Sequence, residues 1–255
     1  MIDLVALDAD DTLWHNEPLF TSVREQFCAL LGRYRPDVPG DRLDAVEMRN
    51  LRHFGYGVKG FVLSMIETAI EMTGGRLEAA DVQTIIGWGR DMLDSPVELL
   101  DGVPEAVEEL AGAFRLILLT KGDLLHQETK LARSGLGRHF TGIEIVSEKN
   151  AGTYRSVMAR YRVTPARFAM VGNSLRSDIL PVLEAGGQAV YVPYETTWAH
   201  ERVEPERLAP LQFHEIPHIR ELPALLRGLT HDPDRQAGGD GGLESGGSLR
   251  GEPKP

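Results

Sequence analysis

Cysteine is almost absent from this 255-residue chain; Cys28 is the only one. A single thiol excludes an intrachain disulfide and a cysteine-built zinc cluster, and it fits a reducing compartment. Long apolar runs are missing too. No stretch approaches the ~18 residues that a bilayer-spanning helix needs, so no membrane partner is expected. The first fourteen residues lack a basic region and are crowded with aspartate, unlike a secretory leader. The expectation is a soluble, cytoplasmic protein. Positive charge is scarce, with 27 Lys and Arg against 38 Asp and Glu and a net charge of −11. Such a chain repels nucleic acid polymers and anionic surfaces as a whole, so any phosphate it handles has to meet a local positive site. Apolar residues at 42% and charged residues at 25% make an ordinary globular composition, which excludes whole-chain disorder, a collagen-like fibre and a coiled-coil rod. The length suits one large α/β domain, or a core carrying a smaller inserted domain.

The hydrophobic rhythm divides the chain. Residues 2–7 form a short apolar run ending in acid, which reads as a buried strand. Helical spacing follows: Leu19, Phe20, Val23, Phe27, Leu30 and Leu31 share a face, with Asn16 as the N-cap and Gly32 as the stop. Three more helical patterns run from about 41 to 55, 61 to 72 and 82 to 93. Beyond Pro104, which marks a helix start, the rhythm changes to alternation. Strands are expected over 114–119, 143–146, 168–171 and 189–192, and helices over 124–134, 154–161 and 178–184. Strand and helix in turn, with short connections, predict a doubly wound parallel sheet covered on both faces. The expected organisation is an α/β core over 1–15 and 98–230, an all-α insertion over 16–97, and a disordered tail over 231–255. That tail holds 7 of the 27 glycines and almost no large apolar side chain.

In open parallel sheets, function gathers at the carboxyl ends of the strands. Each of four strand ends here carries polar groups. Asp8-Ala9-Asp10-Asp11-Thr12 follows the first, Thr120-Lys121-Gly122 the second, and Glu148-Lys149 lies just beyond the third. Gly172-Asn173-Ser174 follows the fourth, with Asp178 a turn later. An aspartate can attack a phosphoryl or alkyl centre as a covalent nucleophile, and a second one nearby can protonate the leaving oxygen and then activate water. Attack by a carboxylate on an anionic phosphoryl group needs a cation. Asp8 and Asp178 supply hard oxygens for Mg2+, Lys149 neutralises further charge, and the Thr120 hydroxyl can orient a phosphoryl oxygen. Together these make a complete phosphoryl-transfer site.

Those motifs resemble the haloacid dehalogenase-like (HAD) hydrolase superfamily. The resemblance rests on Asp8-Ala9-Asp10-Asp11-Thr12-Leu13, Thr120, Lys149 and Gly172-Asn173-Ser174-Leu175-Arg176-Ser177-Asp178, in the family's order, and spans roughly residues 2–193. It implies Asp8 as the nucleophile forming an aspartyl-phosphate and Asp10 as general acid then base, with its backbone carbonyl facing magnesium. It also implies Thr120 and Lys149 as phosphoryl ligands, and Asp178 as completing the metal site. Lys121 stands where the nucleotidase and sugar-phosphate phosphatase branches usually carry Asn, and it is counted with the substrate-binding residues although a solvated place beside the site reads more naturally. Two positions depart from the pattern. Asn173 replaces the usual acid after the glycine; its amide oxygen can still ligate the metal, which implies weaker affinity. Asn150 replaces a common proline and puts only the local turn in question. Only 28 residues separate Thr120 from Lys149, so the helical segment between the first two motifs must be the cap.

The implied activity is magnesium-dependent hydrolysis of a small phosphorylated metabolite, of nucleotide or sugar phosphate type. A phosphomutase-like transferase, a 2-haloacid dehalogenase or a non-catalytic binding protein on the same scaffold are the competing readings. Dehalogenation would need neither Asp10 nor Asp178. An EF-type calcium loop starting at Asp8 is excluded, because Leu13 and Leu19 stand where it needs Gly and Glu. Plain structural readings stand beside the functional ones: Thr120 as a helix cap, Lys149 as a loop lysine and Asp178 as a helix N-terminal acid. Residues 55–60, rich in glycine, read equally as a specificity loop or a plain connection. The stretch 198–201 reads as a surface loop, and oligomeric state is not legible.

Overall fold

The computed structural model describes residues 1–35, 41–196, 198, 201, 203–208 and 211–231. Six parallel strands form one sheet: β1 (Leu4–Leu7), β2 (Arg115–Lys121), β3 (Gly142–Val146), β4 (Phe168–Gly172), β5 (Gln188–Tyr191) and β6 (His214–Glu215). Their order is β3-β2-β1-β4-β5-β6, so the chain winds away from β1 in both directions. Central β1 and β4 are buried on both faces, which is why they read as continuous apolar runs rather than as alternation. Their side chains still alternate between two cores. Val5, Leu7, Leu118 and Val171 enter one, and Leu4, Ala6, Leu119 and Met170 enter the other.

Four helices fill the insertion after β1: α1 (Glu17–Gly32), α2 (Asp41–Phe54), α3 (Val58–Thr73) and α4 (Ala79–Asp94). Their inner faces make a third, separate core that includes Phe27, Leu31, Phe61, Met65 and Ile85. The chain leaves for these helices and returns along paired segments, with His15 N donating to Glu98 O at 3.0 Å and Leu100 N to Leu13 O at 3.0 Å. Asn16 does not cap α1. The cap comes from Asp11, whose carboxylate accepts from Asn16 N at 2.8 Å and Glu17 N at 3.1 Å while its own backbone sits in the left-handed region at φ 59°. Aspartate tolerates that conformation better than most residues, and a negative charge suits a helix N-terminus.

Five further helices cover the sheet, α5 (Val103–Ala111), α6 (Leu124–Ser134), α7 (Ala151–Tyr161), α8 (Leu180–Glu184) and α10 (Leu222–His231), and a short α9 (Pro205–Leu208) precedes the last of them. Asp123 caps α6 by accepting from His126 N at 3.0 Å, so Thr120 is not a cap. Asn150 caps α7 through Thr153 N at 3.0 Å, which settles the turn where proline is absent. Strand β6 goes beyond the five strands expected; two residues carry no period to read. Strand β2 runs on to Lys121, so Thr120 lies within it. Asp178 sits inside a wide π-helical turn, Leu175–Ile179, ahead of α8, rather than at the start of an α-helix. The tail expected to be disordered lies outside the described residues except for His231.

Candidate active site

Strand order reverses around β1, and the crevice at such a switch point lies beyond the strands' carboxyl ends. Leu7 pairs with Leu118 on one side and Val171 on the other, so Asp8 emerges level with Leu119 and Gly172, one residue before Thr120. Asp8 N donates to Val171 O at 2.9 Å, which extends the ladder by one residue and fixes the carboxylate at the rim. A single cavity of about 1100 Å³, open mouth included, lies between this rim and the helical insertion. Asp8, Asp10, Thr120, Lys121, Lys149 and Asn173 all line it. Asp178 does not; it is fully buried behind the others.

Lys149 is the hub, with its side chain only 1% exposed. Its Nζ lies 2.6 Å from Asp8 Oδ1 and 2.6 Å from Asp178 Oδ1. Burial opposes the ammonium, but the charges of Asp178 and Asp8 outweigh it and raise the lysine above its ordinary value. Asp178 also accepts from Ser174 N through Oδ2 at 3.0 Å. Burial first, then the neighbouring Asp8 charge, push its carboxyl up to about 7 despite Lys149. A Cβ at Gly172 would stand 2.2 Å from that Oδ2, so only glycine lets the carboxylate lie against the strand end. Thr120 is 1% exposed, and among the described residues its hydroxyl makes only a long 3.3 Å bond to Lys121 O. Asn173 is tied to the first loop: Thr12 Oγ1 donates to Asn173 Oδ1 at 3.2 Å and accepts from Asn173 N at 3.1 Å.

Asp10 has partners that its motif does not announce. Lys130 Nζ sits 2.5 Å from Oδ1, Trp14 Nε1 donates to the same oxygen at 2.6 Å, and Gln127 Nε2 donates to Oδ2 at 2.8 Å. Burial alone would raise this carboxyl, yet Lys130, Gln127 and Trp14 hold it below the usual carboxylate range. Gln127 and Lys130 are three residues apart on α6, on one face. The pairing of the acid of one segment with the polar face of another is invisible in either segment alone.

Two expectations need correction. Lys121 is not a solvated neighbour. Its side chain is 13% exposed, and its Nζ is held by Glu201 Oε1 at 2.7 Å and Ser177 Oγ at 2.8 Å, 4.0 Å from the centre of the Tyr56 ring. Glu201 in turn is not part of a plain surface loop. It also accepts from Ser177 Oγ at 2.7 Å and from Ser174 Oγ. Burial works against its charge, but Lys121 and the two serines hold the carboxyl at about 2. Trp198 lines the cavity with its ring edge-on to Tyr56; the other two residues of that stretch, 199 and 200, lie outside the described residues. The glycine-rich 55–60 segment also reaches the cavity, and Tyr56 Oη donates to Glu148 across to the core at 2.7 Å. His15 faces Tyr194 Oη at 2.6 Å and is exposed.

Among the described residues no three His, Cys, Asp or Glu side chains converge as metal ligands. Two carboxylates, Asp8 and Asp178, share one lysine, each 2.6 Å from its Nζ. With the neutral oxygens of Asn173 and the Asp10 carbonyl, this set suits Mg2+, which takes one or two carboxylates and keeps several waters.

The chain is 28% identical over 137 residues to human N-acylneuraminate-9-phosphatase and spans about half, 53%, of that protein's length. It is 26% identical over 225 residues to the phosphoserine phosphatase of Thermus thermophilus, covering 74% of this chain and 88% of that one. A solved haloacid dehalogenase-like family hydrolase from Xanthomonas campestris shares 44% identity, with a TM-score of 0.81 over 92% of this chain and 94% of that chain. L-2-haloacid dehalogenase of Xanthobacter autotrophicus shares the fold, at 18% identity and a TM-score of 0.61 over 89% of this chain and 99% of that one. The family model of haloacid dehalogenase-like hydrolases matches residues 2–186, through β1, the helical insertion and all four polar strand ends, and the chain belongs to that family.

Proposed function

We propose that the protein is a magnesium-dependent phosphatase acting on a small phosphorylated metabolite, of nucleotide or sugar phosphate type, and that helices α1–α4 serve as its cap. The observation that carries this reading is the pairing of two aspartates with separate lysines in one cavity, Asp8 with Lys149 and Asp10 with Lys130. Asp8 Oδ attacks phosphorus and the P–O bond to the leaving group breaks. Asp10, which Lys130, Gln127 and Trp14 keep ionised in the free protein, takes up a proton from solvent when the phosphoryl anion binds beside it and gives that proton to the leaving oxygen. Asp10 then takes a proton from water as the water oxygen attacks the aspartyl-phosphate, and inorganic phosphate leaves with Asp8 restored. Thr120 and Lys149 hold phosphoryl oxygens at the strand ends. Asp8, Asp178, Asn173 and the Asp10 carbonyl would hold Mg2+, whose charge would offset that of the phosphoryl group. The presence of Asp10 beside Asp8 in this cavity favours this chemistry over dehalogenation, which has no use for a second carboxylate there.

The test is phosphate release from an aryl phosphate and a panel of metabolite phosphates, with magnesium, with chelator, and with Asp8→Asn. Magnesium-dependent release that falls by at least about 10³-fold in Asp8→Asn is expected. No release from any ester in any condition overturns the reading.

A further inference from the structure

The charges lining the cavity do not balance, and the imbalance points at the substrate. Among the described residues, seven carboxylates and four cations line it. Every one of the four cations is already taken. Arg24 pairs with Asp44 at 2.7 Å and with Glu47, Lys121 with Glu201, Lys130 with Asp10, and Lys149 with Asp8 and Asp178. The carboxylates sort in the same way. Asp123 pairs with Lys59 at 2.8 Å, and Asp11 caps α1. One is left. Glu17, at the first turn of α1 where the insertion begins, has no hydrogen-bond donor among the described residues, although it is partly buried and faces the cavity. Burial, with Glu47 and Asp44 nearby and Arg24 opposing, lifts its carboxyl to about 7. A second acceptor is also unmet: Gln127 Oε1, on another lining residue, is buried without a partner among the described residues.

Resting on the phosphatase reading, we propose that this cavity takes phosphate esters whose leaving group offers an amine or hydroxyls to Glu17 and carries no carboxylate. Unmet acceptors favour a donor-rich ligand, because a buried acceptor left alone costs free energy that a donor recovers. A second anion on the substrate would meet no free cation, and it would meet Glu17 in a site where like charges interact strongly. Phe20, backed by the buried Phe61 ring 5.0 Å away, provides an apolar face for the carbon skeleton. The substrates that two of the relatives are named for, an acylneuraminate phosphate and phosphoserine, are both carboxylates, so the proposal separates this protein from them.

The experiment compares kcat/KM for matched esters that differ by one group: phosphoethanolamine against phosphoserine, glycerol 1-phosphate against 3-phosphoglycerate, and glucosamine 6-phosphate against glucose 6-phosphate. Wild type and Glu17→Gln are measured with magnesium, and each ratio is internal to one protein, so a general loss of folding cancels. The carboxylate-free member of each of the first two pairs is expected to be preferred by ~10-fold or more, and Glu17→Gln to shrink that preference to within ~3-fold. In the third pair the amine should be at least as good as the hydroxyl, with its advantage lost in Glu17→Gln. Equal or better turnover of the carboxylate members, or ratios unmoved by the substitution, overturns the proposal and leaves the phosphatase reading standing. Failure of every ester, an aryl phosphate included, overturns both.

Discussion

The ion pair between Glu201 and Lys121 offers the sharpest quantitative test, because the chain segment that carries Glu201 reads as a surface loop. Both side chains are 13% exposed, so solvent screens them little. The Glu201 carboxyl is held at about 2 against an ordinary 4.5, a difference worth about 3 kcal/mol at 1.36 kcal/mol per unit. Glu201→Gln keeps the shape and one acceptor but leaves the Lys121 ammonium with only Ser177 and the Tyr56 ring. A loss of about 2–3 kcal/mol is expected. Lys121→Met leaves the carboxylate with two serine hydroxyls and should cost about 1–2 kcal/mol. The double variant should lose less than the sum, with a coupling of about 1.5–2 kcal/mol. Urea denaturation at pH 7 on the four proteins measures each quantity. The acid is depressed in the folded state, so its contribution is complete above the unfolded value and is lost as pH falls. The gap between wild type and Glu201→Gln should therefore stay level from about pH 8 to 5 and close between 4.5 and about 2. A coupling below ~0.5 kcal/mol, or a gap that does not narrow in acid, would refute the assignment of Glu201 to this site.

Other outcomes follow from the same geometry. Gly172→Ala would press a Cβ to 2.2 Å from Asp178 Oδ2 and turn that carboxylate off the strand end; turnover should fall by ~100-fold, and a value within ~3-fold of wild type would contradict the packing. Lys130→Met removes the cation from Asp10 and should lower kcat by ~10-fold or more with KM within ~3-fold, whereas unchanged kcat would remove Lys130 from the site. Phe61, 1% exposed in the core of the helical insertion, should cost about 3–5 kcal/mol as Phe61→Ala, read by denaturant unfolding.

Much of this protein was legible along the chain. Continuous apolar runs of four or five residues in β1, β2 and β4 announce strands buried on both faces, and their alternation with helical spacing announces a parallel sheet with helices on both sides. Because the polar groups of a parallel sheet collect at one end of its strands, Asp8, Thr120, Lys149 and Asn173 can be gathered into one crevice without coordinates. The two-residue β6 could not be seen, since a strand that short has no period. Nor could the wide turn around Asp178, whose form depends on Ser174 closing it and on the room left by Gly172.

Local sequence determined which residues carry charge and which strand end each follows; tertiary structure alone decided which charges meet. Lys130 reaches Asp10 across 120 positions, and Glu201 reaches Lys121 across 80. Asp11, an apparent extra acid in the first motif, became the cap of α1, and Glu17 was left facing the cavity alone. Periodicity is a property of neighbours, so it survives in the sequence. Charge pairing in a buried cavity is a property of distance in space, where a low dielectric makes each pairing strong and each omission costly.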